Sequence, residues 1–410
     1  MRRRPMARRL SLLLTGLIAG GGLLSGCSRG DQSASGAVNL KEGVPVGAVL
    51  ALSGNANVYG QDQRVGLNLA LTAVNGSGGI NGTPLRLAIE DSGSDDPGAN
   101  AAMTLQINRG MLAIIGPTLS QQAFAADPIA QRRGVPVVAP SNTATGIPQI
   151  GHFISRVSAG SGVIAPLSIA KALQLNPGIR RAAVFYAQDD AYSTAETVVF
   201  QKALSDRGLK PITVQRTNLA DSDFQSQISS TLALKPDLIV LSLQGVDGGN
   251  LVRQLRELGY RGTIVVGNGM NTPNIYPICQ KYCDGLLIAQ AYSPELATPA
   301  NRAFVQAFSK AQAAGGKGTL IPPQLTAQAY TALQVVAEAL QRLDKRKPLK
   351  GLSAAAARTA LMDEILGGIY QTPLGEIRFT PEGEVVQKDF FVAQVRMNPG
   401  GRSGRFALLP

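Results

Sequence analysis

The chain has 410 residues, 44 % of them hydrophobic and only 16 % charged, with a formal net charge of +12. That apolar share excludes an intrinsically disordered chain, and the length exceeds the roughly 250–300 residues that one hydrophobic core serves, so two domains are expected. The positive excess would suit nucleic acid or a membrane surface, but five of the positives are Arg2, Arg3, Arg4, Arg8 and Arg9, at the extreme N-terminus.

Those arginines precede an apolar run over residues 10–24, short of the ~20 residues that span a bilayer. A basic stretch, an apolar stretch and then small residues is the layout of a secretory signal. Leu24-Ser25-Gly26-Cys27 looks like a lipobox, at which the cysteine receives a diacylglyceryl group and the chain is cut before it. The expectation is a signal peptide over 1–26, a lipid anchor on Cys27 and a flexible tether over 27–42, whose small polar residues suit that role. Removing the five arginines lowers the charge from +12 to +7. The remainder no longer argues for nucleic acid, and no alternation of aromatic and basic residues supports it.

From about residue 44 short β-rich runs alternate with longer amphipathic stretches. Strands are predicted at 46–50, 85–90, 113–115, 136–138, 182–186, 212–216, 238–243, 263–266 and 285–289. Helices are predicted at 60–74, 98–109, 121–132, 191–207, 224–234 and 249–258, with Gly, Asn or Pro near many of the ends. This alternation predicts an α/β fold with two parallel sheets, each covered on both faces. Ligands of open α/β sheets bind beyond the carboxyl ends of the strands, against helix N-termini. That places the candidate site on the loops 52–59, 116–122, 139–146 and 188–193.

With Cys27 lipidated, Cys279 and Cys283 remain, and their close spacing in an exported chain favours a local disulfide over free thiols. No metal is expected there, because neither a second cysteine pair nor a neighbouring histidine exists to complete a site. His152 is the single histidine and follows no nucleophile elbow. Walker loops and dinucleotide glycine fingerprints are also missing, so neither catalysis nor a cofactor is expected.

The candidate loops carry motifs in a characteristic order. Val46-Gly47-Ala48 is followed by Leu52-Ser53-Gly54 and Tyr59-Gly60, then Asn75 with Gly78-Gly79-Ile80-Asn81-Gly82, Glu90-Asp91 and Ile115-Gly116-Pro117. Val135-Pro136-Val137 with Ala139-Pro140-Ser141 and Asp189-Asp190-Ala191-Tyr192 come next. Thr372-Pro373-Leu374-Gly375, Ile377-Arg378-Phe379 and Gly383 close the series. Taken together, residues 44–396 resemble the branched-chain amino acid (leucine/isoleucine/valine) binding family, type I periplasmic solute-binding proteins of ABC importers.

The resemblance implies two Rossmann-like lobes joined by three crossovers. One lobe would take 43–158 and 291–372, the other 159–290 and 373–398, with a tail over 399–410. A small-molecule ligand, an amino acid, would lie in the cleft while the lobes close by hinge bending, and the partners would be ABC permease subunits. By the same analogy Ser120 binds the ligand carboxylate, Thr143 contacts carboxylate and ammonium, and the Ser141 carbonyl accepts from the ammonium. Tyr59 and Tyr192 would line the cleft from opposite lobes. The alternatives are a plain helix N-cap for Ser120, a polar turn for Ser141 and Thr143, and half-buried surface packing for the tyrosines; with the resemblance the site roles are favoured.

One departure stands out. Where the family places an acid that pairs with the ammonium, this chain reads Val266-Gly267-Asn268-Gly269-Met270-Asn271, with Gly269 at the matching position and Asn268 beside it. Asp189, Asp190 or Asp247 supplies the charge instead, or the ligand has no ammonium there. The alternatives are a ligand-sensing periplasmic receptor using the same fold without transport, or a binder of an amide or other non-amino-acid solute.

Overall fold

A computed structural model describes residues 36–316 and 320–410. The expected signal peptide, Cys27 and the tether as far as residue 35 lie outside the described residues.

The first strand, β1 (Val44–Leu50), is apolar and buried at every position, as an interior strand of a parallel sheet covered on both faces requires. It is followed by α1 (Asn57–Gly76), β2 (Leu85–Asp91), α2 (Asp96–Asn108), β3 (Ile114–Ile115), α3 (Ser120–Arg132), β4 (Val137–Ala139) and β5 (Ile154–Arg156). These strands form an all-parallel sheet in the order β2-β1-β3-β4-β5. Then come α4 (Ser161–Leu175), β6 (Ala182–Ala187), α5 (Ala191–Ser205), β7 (Pro211–Thr217), α6 (Gln225–Ala233), β8 (Leu238–Ser242), α7 (Gly245–Glu257), β9 (Thr263–Val266), α8 (Tyr276–Cys279) and β10 (Leu287–Gln290). The chain returns through α9 (Pro299–Ala314), α10 (Gln324–Arg346) and α11 (Ala354–Gly367), and ends in β11 (Ile369–Thr372), β12 (Gly375–Phe379), β13 (Val385–Gln387), β14 (Phe391–Met397) and β15 (Gly404–Leu408).

The second large sheet has the order β15-β14-β10-β9-β8-β6-β7. Its five strands from β10 to β7 are parallel, while β14 and β15 add on antiparallel. The fold is therefore α/β with two lobes built on parallel sheets. Helix α10 returns to the first lobe because Leu325, Ala329, Leu333, Val336, Leu340 and Leu343 form a buried stripe at helical spacing. It packs on α1, where Gly66 permits the close approach: a Cβ there would stand in the backbone carbonyl of Thr326.

Two boundaries differ from the sequence expectation. The return to the second lobe falls later than 372/373, because Tyr370, Leu374, Ile377 and Phe379 are buried in the same core as Val46, Leu67 and Leu333. The small antiparallel sheet β11-β12-β13 thus belongs with the first lobe, and the chain joins the second sheet at β14. Residues 399–410 are not a plain tail either, since β15 within them pairs with β14 over Ala393–Met397.

Helices 161–175, 299–314, 324–346 and 354–367, the short strand β5 and the strands β11–β15 were not among the predicted elements. Cys279 and Cys283 are joined by a disulfide, buried under the second lobe. Among the described residues no helix is long and apolar enough to cross a membrane, and no cluster of three or more His, Cys, Asp or Glu side chains is placed to hold a metal ion.

Candidate functional site

The loops at the carboxyl ends of the strands in both lobes converge on one cavity. Its wall is made by Tyr59, Thr118, Leu119, Ser120, Ser141, Asn142, Thr143 and Leu325 on the first-lobe side, and by Tyr192, Gln244, Asn268 and Gly269 on the second. The seven side chains and backbone positions singled out in the sequence as ligand-binding all lie on this wall.

Three first-lobe loops are fastened to one another before any ligand is considered. Gln63, fully buried on α1, donates from Nε2 to Ser141 Oγ at 2.6 Å and accepts from Thr118 Oγ1 at 2.6 Å. Ser141 Oγ donates in turn to the Thr118 carbonyl at 2.6 Å. The Ser141 hydroxyl is thus committed to the protein, and what it offers the cavity is backbone.

Ser120 is the first residue of α3, and its oxygen does not cap its own helix. It accepts from the backbone N–H groups of Thr143 and Ala144, each at 3.2 Å. Those two bonds use the lone pairs and leave the hydroxyl proton available to an acceptor in the cavity. The Thr143 hydroxyl makes no hydrogen bond among the described residues, although the residue is 2 % exposed. Two hydroxyl donors at the N-terminal end of a helix are a favourable setting for an anion.

The 142–144 loop is held from behind by a side chain that the sequence reading missed. Arg156, at the end of β5, donates from Nη1 to the carbonyls of Asn142 at 3.3 Å and Ala144 at 2.8 Å. Its Nε and Nη2 form a bidentate pair with Glu384, both at 2.8 Å. Ser158 and Ser161 hydroxyls take the carbonyls of Asn142 and Thr143. Every carbonyl of this loop is therefore fixed, which pre-organises the hydroxyls in front.

On the opposite wall the Tyr192 hydroxyl accepts from the Gly269 N–H at 2.6 Å and donates to Glu196 Oε2 at 2.6 Å. Glu196 stands one helical turn further along α5 and is 2 % exposed. Its carboxylate also accepts from Ser242 Oγ at 3.1 Å and from the Asn268 N–H at 3.1 Å. Burial pushes its pKa up to about 7. The sequence carried one signal for it, a carboxylate four residues after a cleft tyrosine on the same helix face.

The three acids that the sequence offered as counter-charges lie off the wall. Asp189 accepts from the Leu219 N–H at 3.0 Å. Asp190 caps α5, accepting from the Ser193 N–H at 3.1 Å and from Gln244 Nε2 at 3.1 Å, and burial raises it to about 6. Asp247 sits in the first turn of α7, where burial raises it to about 8. His152 stands on the first-lobe surface, 3.5 Å from Asp363 and half exposed.

Among the described residues, Tyr59 and Gln324 make hydrogen bonds from the first-lobe side to the second. The Tyr59 hydroxyl donates to the Gly269 carbonyl at 2.7 Å and accepts from the Gly245 N–H at 2.6 Å. Gln324, at the start of α10, donates to Asn268 Oδ1 at 3.0 Å. The cleft is held shut by these contacts.

A family model described as "Periplasmic binding protein" matches residues 43–402. The chain is 25 % identical over 347 residues to the leucine-, isoleucine-, valine-, threonine- and alanine-binding protein of Pseudomonas aeruginosa, covering 83 % of this chain and 87 % of that one. Among solved structures, a leucine-binding protein from Thermotoga maritima superposes with a TM-score of 0.76 at 26 % identity, covering 89 % of this chain and 98 % of that one. A solute-binding protein of an ABC transporter from Rhodopseudomonas palustris, in complex with 3,4-dihydroxybenzoic acid, has the same fold at 19 % identity, with a TM-score of 0.76 over 89 % of this chain and 96 % of that one.

Proposed function

Because this chain belongs to the periplasmic binding protein family, we propose that it captures a small carboxylate-bearing solute in the interlobe cleft and delivers it to the permease subunits of an ABC importer. The observation that carries this reading is the cavity itself, with hydroxyl donors on one lobe, aromatic and amide groups on the other, and direct hydrogen bonds closing it. An amino acid is the solute class that the names of its relatives carry. Export by residues 1–26 and a lipid anchor on Cys27 would hold it at the extracytoplasmic face of the membrane, where such a component works.

A second reading, a carboxylate solute that is not an amino acid, is favoured by one observation: the cavity wall carries no acidic side chain. In either case no step of chemistry is asked of the protein, and a ligand favours the closed form by adding its own contacts to the direct hydrogen bonds between the lobes.

A thermal-shift screen of amino acids, amides and small organic acids tests the proposal. A ligand that binds the folded state raises stability by RT ln(1 + [L]/Kd), about 2.7 kcal/mol at a hundredfold excess over Kd. If no solute shifts the transition and none is released from the purified protein on denaturation, the capture reading is wrong.

A further inference from the structure

Resting on the reading that the cleft captures a carboxylate, we propose that its solute is a small monocarboxylic acid lacking an α-ammonium group. The cavity is lined by hydroxyls and the Asn142 amide on the first lobe and by the Tyr192 hydroxyl and the amides of Gln244 and Asn268 on the second, and none of these groups is charged. The donors of Ser120 and Thr143 face the cavity from the first lobe. None of its lining residues bears a carboxylate that would neutralise an ammonium. A buried ammonium without a counter-charge is costly, whereas an uncharged tail carries no such penalty.

Glu196 and Asp190, behind the second-lobe wall, are engaged elsewhere, and Asp247 lies off the wall in the first turn of α7. Both oxygens of Glu196 are taken by the hydroxyls of Tyr192 and Ser242 and the N–H of Asn268, and the Tyr192 hydroxyl and the 267–269 backbone stand in front of them. Asp190 is occupied by Ser193 and Gln244. Position 269 itself has no room for an acid: a Cβ there would stand 2.8 Å from the Tyr192 ring and 3.1 Å from Gln244 Oε1, and would overlap the Leu243 carbonyl. Leu119, Leu325 and the rings of Tyr59 and Tyr192 also line the cavity and give an uncharged tail apolar surface to pack on.

The test is isothermal titration of the purified chain with matched pairs that differ only in the amino group. L-Leucine is compared with 4-methylpentanoate and L-phenylalanine with 3-phenylpropanoate, and benzoate is titrated alongside. The expected result is that the des-amino acid of at least one pair binds about tenfold more tightly or better, a difference of ~1.4 kcal/mol. An amino acid that binds as tightly as its des-amino partner, or more so, overturns this inference while leaving carboxylate capture intact. If no carboxylate of either kind binds, the inference and the capture reading fail together. In the variant Ser120→Ala the des-amino acid should bind several-fold more weakly. Unchanged binding overturns the placement of its carboxylate on the first lobe.

Discussion

The hydroxyl of Tyr59, on the first lobe, donates to the carbonyl of Gly269 on the second, at 2.7 Å, and the same oxygen accepts from the Gly245 N–H at 2.6 Å. One side-chain atom therefore joins two backbone groups of the facing lobe, and it belongs to a residue of the cavity wall. Burial raises the phenol well above its ordinary pKa, so it stays protonated and able to donate throughout the physiological range.

Tyr59→Phe removes both bonds and keeps the ring. Each is worth about 0.5–1.5 kcal/mol, so ligand affinity should fall, and small-angle scattering should show a larger radius of gyration for the liganded variant than for the liganded parent. Identical scattering and affinity would mean that closure does not depend on this contact.

Ser120→Ala and Thr143→Ala are each expected to weaken a carboxylate ligand by ~1–3 kcal/mol, the range for a hydrogen bond to a charged group. Titration calorimetry measures it directly. Unaltered affinity in both variants would show that the carboxylate sits elsewhere.

The Arg156–Glu384 pair acts one layer back. Arg156 is 2 % exposed and also holds two carbonyls of the 142–144 loop, so Arg156→Met should lower stability by about 3 kcal/mol, the lower end for breaking a buried pair because Glu384 is partly exposed. Chemical denaturation measures this loss. Glu384→Gln keeps a hydrogen-bonding partner and should lose less. Equal losses in the two variants would argue that charge, not the hold on the loop, dominates.

Stability should fall as pH rises from about 4 to 8. Burial raises Asp190 to about 6, Glu196 to about 7 and Asp247 to about 8 in the folded state. The folded chain therefore binds more protons than the unfolded one between the two sets of pKa values. The stabilisation is fully present below the unfolded carboxylate pKa and is lost as pH rises through the folded values. Glu196→Gln should flatten the slope of melting temperature against pH near pH 7. A variant with the parent's slope would show that Glu196 does not titrate there.

Cys27→Ser should release the protein from membranes of the cell that makes it. Retention of the variant in the membrane fraction would count against a lipid anchor on that residue.

The alternation of apolar runs and amphipathic stretches was enough to assign the α/β class, and the nine predicted strands correspond to β1–β4 and β6–β10 within a few residues. It was enough because a strand buried on both faces must be apolar throughout, and a covering helix must carry a stripe; both are local patterns. The loops that line the cavity were legible for a related reason, since ligands of parallel sheets meet the carboxyl ends of strands. Residues far along the chain decided the rest. The role of Glu196 was decided by its contact with Asn268, 72 positions away, of which the sequence carried only the spacing from Tyr192, and that of Arg156 by Glu384, 228 positions away. The late return to the second lobe and the pairing of β15 likewise depend on which core has room for Tyr370 and Phe379 and which sheet edge is open to Gly404–Leu408. Sequence fixes what each segment can bury, whereas the mutual placement of two lobes, and thus which polar groups are left to face a ligand, is settled only by long-range packing and hydrogen bonding.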